Sequence, residues 1–96
     1  MDYFVYIIKS ERTARYYIGQ TSDLNVRLTQ HNAIENVHFT SRDAPWSLCV
    51  SVRCTSRTQA MMLEAFIKKQ KSRVFIEKVI ADDAVQNSLI QKFADC

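Results

Sequence analysis

The run Tyr3-Phe4-Val5-Tyr6-Ile7-Ile8 sets six apolar or aromatic side chains in succession, rich in β-formers and without a polar break. A half-exposed strand would alternate, and six residues are too few for a buried helix, so the run describes a strand buried on both faces. A chain of this length buries about two thirds of the surface it exposes when unfolded. That is enough for one core. It leaves a surface groove, rather than a deep private cavity, as the place for a substrate.

The remaining elements follow from spacing and caps. After the polar stretch 9–14, Arg15-Tyr16-Tyr17-Ile18-Gly19 is again β-prone and close enough to return as an antiparallel hairpin partner. Thr21-Ser22-Asp23 offers N-cap candidates for a short helix from about Asp23 to Asn32, with Leu24, Leu28 and His31 at helical spacing. Residues 33–45 show no period and read as an exposed loop. From Trp46 onward Leu48, Val50, Val52 and Cys54 alternate with polar or small residues, which predicts a third strand with one core face. Ser56 and Gln59 form a capping box ahead of a helix over about Arg57 to Lys69, Ser72 caps another, and Asp83 with Gln86 caps a last one. The order β-β-α-β-α-α-α is a small three-stranded sheet covered by helices, in the α/β or α+β class.

Ten aromatic residues spread along the chain exclude low-complexity disorder. No apolar run approaches the roughly 18 residues that span a bilayer, and the N-terminus lacks a basic n-region, so the expectation is a cytoplasmic protein with no membrane partner. Cys49, Cys54 and Cys96 form no CxxC pair and read as reduced structural thiols. The net charge of +3 is uneven, +5 over residues 1–81 and −2 over residues 82–96, which points an anionic partner at the first part.

Several side chains can carry chemistry. Gly19 is the only glycine, which calls for a positive φ or a close backbone approach, although taken alone it reads as a strand-exit turn. Tyr6 and Tyr17 lie on paired strands, where two phenols can share one groove if the register allows. Arg27 and His31 are four apart on one helix face and could meet a phosphate. On the second helix Ala60, Leu63, Phe66 and Ile67 make an apolar arc, with Glu64 at its edge and Lys68 and Lys71 on the same flank. From the helix alone Glu64 and Lys68 read as an i,i+4 salt bridge.

In chain order Tyr6, Tyr17-Ile18-Gly19, Arg27, His31-Asn32, Pro45-Trp46 and Glu64 followed by Ile67-Lys68-Lys69 form a set that resembles the GIY-YIG nuclease family, in its short single-domain members. The first half-motif stands as Phe4-Val5-Tyr6, with Phe4 in place of the family's glycine, and the second is intact. Asn87 lies beyond the match and takes no part in it. The resemblance implies a GIY-YIG-like antiparallel sheet flanked by helices, a catalytic module over residues 1–81 and an acidic helical extension over 82–96. It implies hydrolysis of DNA, with RNA as the other candidate, using one Mg2+ or Mn2+ ion on Glu64. A hard ion that keeps most of its waters needs only one or two protein oxygens.

By the same resemblance Tyr17, or in second place Tyr6, takes a proton from the attacking water. A phenol titrates near about 10, so the site must lower that value or pass the proton through hydroxide on the ion or through His31. Arg27 would bind the phosphate, and His31 is either a second base or a phosphate ligand. Gly19, Arg15, Arg42, Lys68 and Lys71 are the candidate nucleic-acid contacts. No zinc finger, helix-turn-helix or long basic arm accompanies the module, so specificity would come from substrate structure or from a protein partner. Two other readings compete: a non-cleaving nucleic-acid-binding module in DNA repair or recombination, and an interaction domain presenting Val85, Leu89 and Phe93.

Overall fold

The apolar run forms the middle strand. In a computed structural model of the chain, which describes residues 2–32 and 43–95, β1 (Tyr3–Ser10) lies between β2 (Tyr16–Thr21) and β3 (Trp46–Cys54) and is antiparallel to both. The helices α1 (Leu24–Asn32), α2 (Arg57–Gln70), α3 (Arg73–Ala81) and α4 (Asp83–Lys92) complete the expected α+β order. Val5 through Ile8 are each 3% exposed or less, so both faces of β1 are covered. Val5 and Ile7 join Ile18, Val52 and Cys54 under Ala60, Leu63, Ile67, Val79 and Leu89 of α2, α3 and α4. Tyr6 and Ile8 face the other way, with Trp46, Tyr17 and the α1 residues Leu24 and Leu28.

The caps hold the helices in place with two departures from expectation. Asp23 Oδ1 accepts from the Val26 amide, Ser56 Oγ from Gln59, and Ser72 Oγ from Phe75. Gln59 completes only half of a capping box: its Oε1 accepts from the Thr55 amide instead of Ser56, while its Nε2 donates to the Ile90 carbonyl of α4 at 3.3 Å. The cap of α4 is Asp82, whose carboxylate accepts from the Ala84 amide, one residue before the predicted Asp83. The apolar face of α4 packs on the core in part. Leu89 is buried there, Val85 and Phe93 pack against it while staying partly exposed, and the Phe93 ring stands 5.7 Å from Phe66.

The third strand departs most from its sequence pattern. Strict alternation would put Trp46, Leu48, Val50, Val52 and Cys54 on one face. Instead Ile7 pairs with Val50 and Ile8 with Leu48, leaving Cys49 as the extra residue of a β-bulge. A bulge reverses side-chain parity along its strand and re-aims the side chains beyond it. Val50, Val52 and Cys54 stay with the α2–α4 core, Trp46 turns to the α1 face, and Leu48 is left 45% exposed. Cys49 and Cys54 are free thiols, and Cys96 lies outside the described residues. No helix among the described residues is long and apolar enough to cross a membrane.

Candidate active site

The register of β1 against β2 settles where the two tyrosines point. Tyr6 pairs with Gly19 and Ile8 with Tyr17, so Tyr6, Tyr17 and Gly19 share one face, with the phenol rings 6.4 Å apart on a cross-strand diagonal. Gly19 sits inside β2 and not at its exit, and its φ is not positive. Its service is close approach: a Cβ there would come within 2.6 Å of Tyr6 Cζ, so the missing side chain is the space the Tyr6 ring occupies. Gly19 is buried under that ring.

Tyr6 is 3% exposed and its hydroxyl shares a 3.0 Å hydrogen bond with His31 Nε2. Burial, then the neighbouring Tyr17 phenol, push the Tyr6 hydroxyl well above its ordinary value; Arg27 pulls it down and Glu64 pushes it up. Tyr6 therefore stays protonated at ordinary pH and serves as a fixed neutral hydroxyl. Tyr17 is only partly buried, and its ring meets His31 edge-on at 4.8 Å. The accessible phenol is Tyr17.

His31, at the end of α1, is itself 6% exposed, and Trp46 stands 6.3 Å from both His31 and Tyr17. Asn32 ties these rings together. Its Oδ1 accepts from the Trp46 amide at 2.6 Å and its Nδ2 donates to the Trp46 carbonyl at 3.3 Å, so one side chain meets both polar groups of one β3 residue. The sequence motif contains both residues, but it gives Asn32 no role. The signal was the dipeptide His31-Asn32 followed at a distance by Pro45-Trp46.

Arg27 and His31 share a face of α1 as predicted, with Arg27 exposed and its charge felt at Tyr6. Glu64 reaches the same neighbourhood from α2. Its side chain is 21% exposed and Oε2 lies 2.6 Å from Lys68 Nζ, while that ammonium also stands 5.7 Å over the Tyr17 ring. Among the described residues no three His, Cys, Asp or Glu side chains gather as a metal cage. One partly exposed carboxylate whose charge is felt at the Tyr6 phenol suits a hard ion that keeps most of its waters, as magnesium and manganese do, and does not suit a four-ligand zinc centre.

From Tyr17 an open groove of about 410 Å³ runs along the edge of β2 to the α2–α3 junction, walled by Arg15, Tyr16, Lys68, Lys71 and Arg73. Three predicted nucleic-acid contacts, Arg15, Lys68 and Lys71, thus line one groove. Lys71 takes a left-handed φ of 49° as the α2 cap. Arg15 is also paired with Asp43 at 3.5 Å. Tyr16 is held by Glu77, its hydroxyl donating at 3.1 Å, and by the Arg73 guanidinium 4.6 Å over its ring. Arg42 lies outside the described residues.

The chain resembles known proteins in sequence and in fold. The family model for the GIY-YIG catalytic domain matches residues 2–78. A UPF0213 protein of Streptococcus pneumoniae is 32% identical over 90 residues, covering 93% of this chain and 90% of its own. The UPF0213 protein YsiG of Lactococcus lactis is 31% identical over 91 residues, 94% of this chain and 86% of its own. The solution NMR structure of a UPF0213 protein from Bacillus halodurans superposes with a TM-score of 0.53 over 84% of both chains, at 26% identity.

Proposed function

The chain belongs to the GIY-YIG family, which implies nuclease-type chemistry on nucleic acid, and from that premise we propose that it is a divalent-metal-dependent endonuclease hydrolysing DNA phosphodiester bonds. The observation that carries this reading is the meeting of Tyr6, Tyr17 and His31 on one sheet face, within the fields of Arg27 and Glu64, at the head of a basic groove. A pure binding surface has no use for a carboxylate facing phosphate.

Glu64 holds the ion, magnesium or manganese, whose chemistry when bound is to stabilise negative charge on the scissile phosphate and the leaving oxygen. Tyr17 takes a proton from the attacking water, and the Lys68 ammonium over its ring balances the charge this requires. Tyr6 remains neutral and orients His31 through their hydrogen bond. His31 in turn braces the Tyr17 ring edge-on, an orienting duty more than that of a second base. Arg27 binds the phosphate as its charge builds, a task for a permanently charged planar fork. Lys71, Arg15 and Arg73 track the backbone along the groove without reading bases, so the choice of target comes from the structure of the substrate or from a protein partner.

The test is a panel of labelled single-stranded, duplex, flapped and branched DNA, with RNA counterparts, incubated at low salt with Mg2+ or Mn2+ or with chelator. Cutting that needs the metal supports the reading and shows the preferred substrate. Tight binding to the panel without cutting under any of these conditions would replace it with the binding module.

A further inference from the structure

Lys68 stands at a junction of three features. Its ammonium is 2.6 Å from the Glu64 carboxylate, lies 5.7 Å over the Tyr17 ring, and forms part of the wall of the basic groove. The cation at Glu64 is therefore this lysine, in the position a divalent ion would need. The pair is of the i,i+4 helical kind with both partners partly exposed, a class of contact that contributes little to stability and is easily exchanged. Around Lys68 the groove holds Arg15, Lys71 and Arg73, so a phosphate bound there would have the ammonium within reach of its oxygens.

Resting on the reading of Glu64 as the ion's carboxylate, we propose that Lys68 is a latch that couples the two ligands: it occupies Glu64 while the groove is empty and is drawn onto phosphate when nucleic acid enters, clearing Glu64 for the ion. The coupling is reciprocal, because a ligand that shifts an equilibrium between two states is itself favoured by whatever else prefers the same state. Metal and nucleic acid then bind with positive cooperativity. The free protein binds the ion poorly, so an idle enzyme carries little assembled catalytic machinery.

The test measures metal binding directly, as the fall in the free Mn2+ electron paramagnetic resonance signal on adding the whole protein. Wild type is compared with Lys68→Met, with Lys69→Met as a control that removes the same charge from an exposed neighbouring position on the helix, and with Glu64→Gln. The latch predicts that Lys68→Met binds Mn2+ about five- to tenfold more tightly than wild type, from losing the pair and the repulsion of a cation a few ångströms away. Lys69→Met should stay within about twofold of wild type, since an exposed charge without contact to Glu64 acts only through screened solvent. Equal Mn2+ affinity in wild type and Lys68→Met, with binding lost in Glu64→Gln, would overturn the latch and leave Glu64 as the metal carboxylate. Unchanged affinity in Glu64→Gln would overturn both. In a second arm, Ca2+ should tighten binding of a phosphorothioate oligonucleotide to wild type more than to Lys68→Met, and equal enhancement in the two would also overturn the latch.

Discussion

Replacing Gly19 with Ala adds one carbon at the place where β2 passes beneath Tyr6. That carbon would stand 2.6 Å from Tyr6 Cζ and 3.0 Å from Cε1, well inside contact distance, so the ring must move. It has little room: Tyr6 is 3% exposed, shares its hydroxyl with His31, and lies beside Tyr17. Overpacking of a filled interior costs about 1–3 kcal/mol. Displacing the ring also loses the Tyr6–His31 hydrogen bond, worth about 1 kcal/mol. Against this, alanine stabilises a strand over glycine by about 0.5–1 kcal/mol, with no positive φ to oppose it. The net expectation is a loss of about 2 kcal/mol, which with a urea slope of about 2 kcal/mol/M lowers the unfolding midpoint by about 1 M. A double-mutant cycle isolates the cause. Tyr6→Leu removes the distal ring atoms that the new carbon meets, so Gly19→Ala should cost at least about 1 kcal/mol less in the Tyr6→Leu background. Urea unfolding of the four proteins gives the answer. A Gly19→Ala protein as stable as wild type, or a cycle that closes additively, would refute the claim that Gly19 is there for the Tyr6 ring.

Tyr6→Phe removes the raised phenol, and because the folded value lies above the unfolded one near about 10, the folded state holds its proton longer and stability falls as pH rises past that point; the variant should lose stability less steeply than wild type above about pH 10 in urea titrations. Asn32→Ala strips both partners from the Trp46 backbone and should cost about 2 kcal/mol, read from the unfolding midpoint, with Asn32→Asp retaining the shorter bond and part of the stability. Lys71→Gln should weaken DNA binding similarly for all sequences and reduce the slope of log affinity against log salt by about one, measured by fluorescence anisotropy across a salt series.

Much of this fold is legible in local signals. The unbroken run at Tyr3–Ile8 reads as a doubly covered strand because nothing else tolerates it, and Ser56, Ser72 and Asp23 mark helix starts through bonds that span three residues. The bulge at Cys49 is not legible, because an alternating pattern continues unbroken through it and the parity change exists only against β1. The sequence reading puts the α4 cap at Asp83, and only the backbone at Asp82, extended as it leaves α3, moves it one residue earlier. In the site, the motif residues follow from the family resemblance, and the shared face of Arg27 and His31 from their spacing of four. The common side of Tyr6 and Tyr17 depends on register, the purpose of Gly19 on what crosses it, and the hold of Asn32 on Trp46 on a contact between α1 and β3. These are long-range facts that no window of sequence contains.

The central claim is that Glu64 serves a metal-dependent cleavage assembled around Tyr17. Its most direct test is single-turnover cleavage of the preferred DNA by wild type and by Glu64→Gln at saturating Mg2+, with far-UV circular dichroism and urea unfolding of both proteins alongside. The account predicts that the variant folds with stability within about 1 kcal/mol of wild type, since it loses only a partly exposed ion pair, while cleavage falls by at least about a thousandfold, as expected when a group stabilising transition-state charge is removed. A folded Glu64→Gln protein that cuts at the wild-type rate would contradict it.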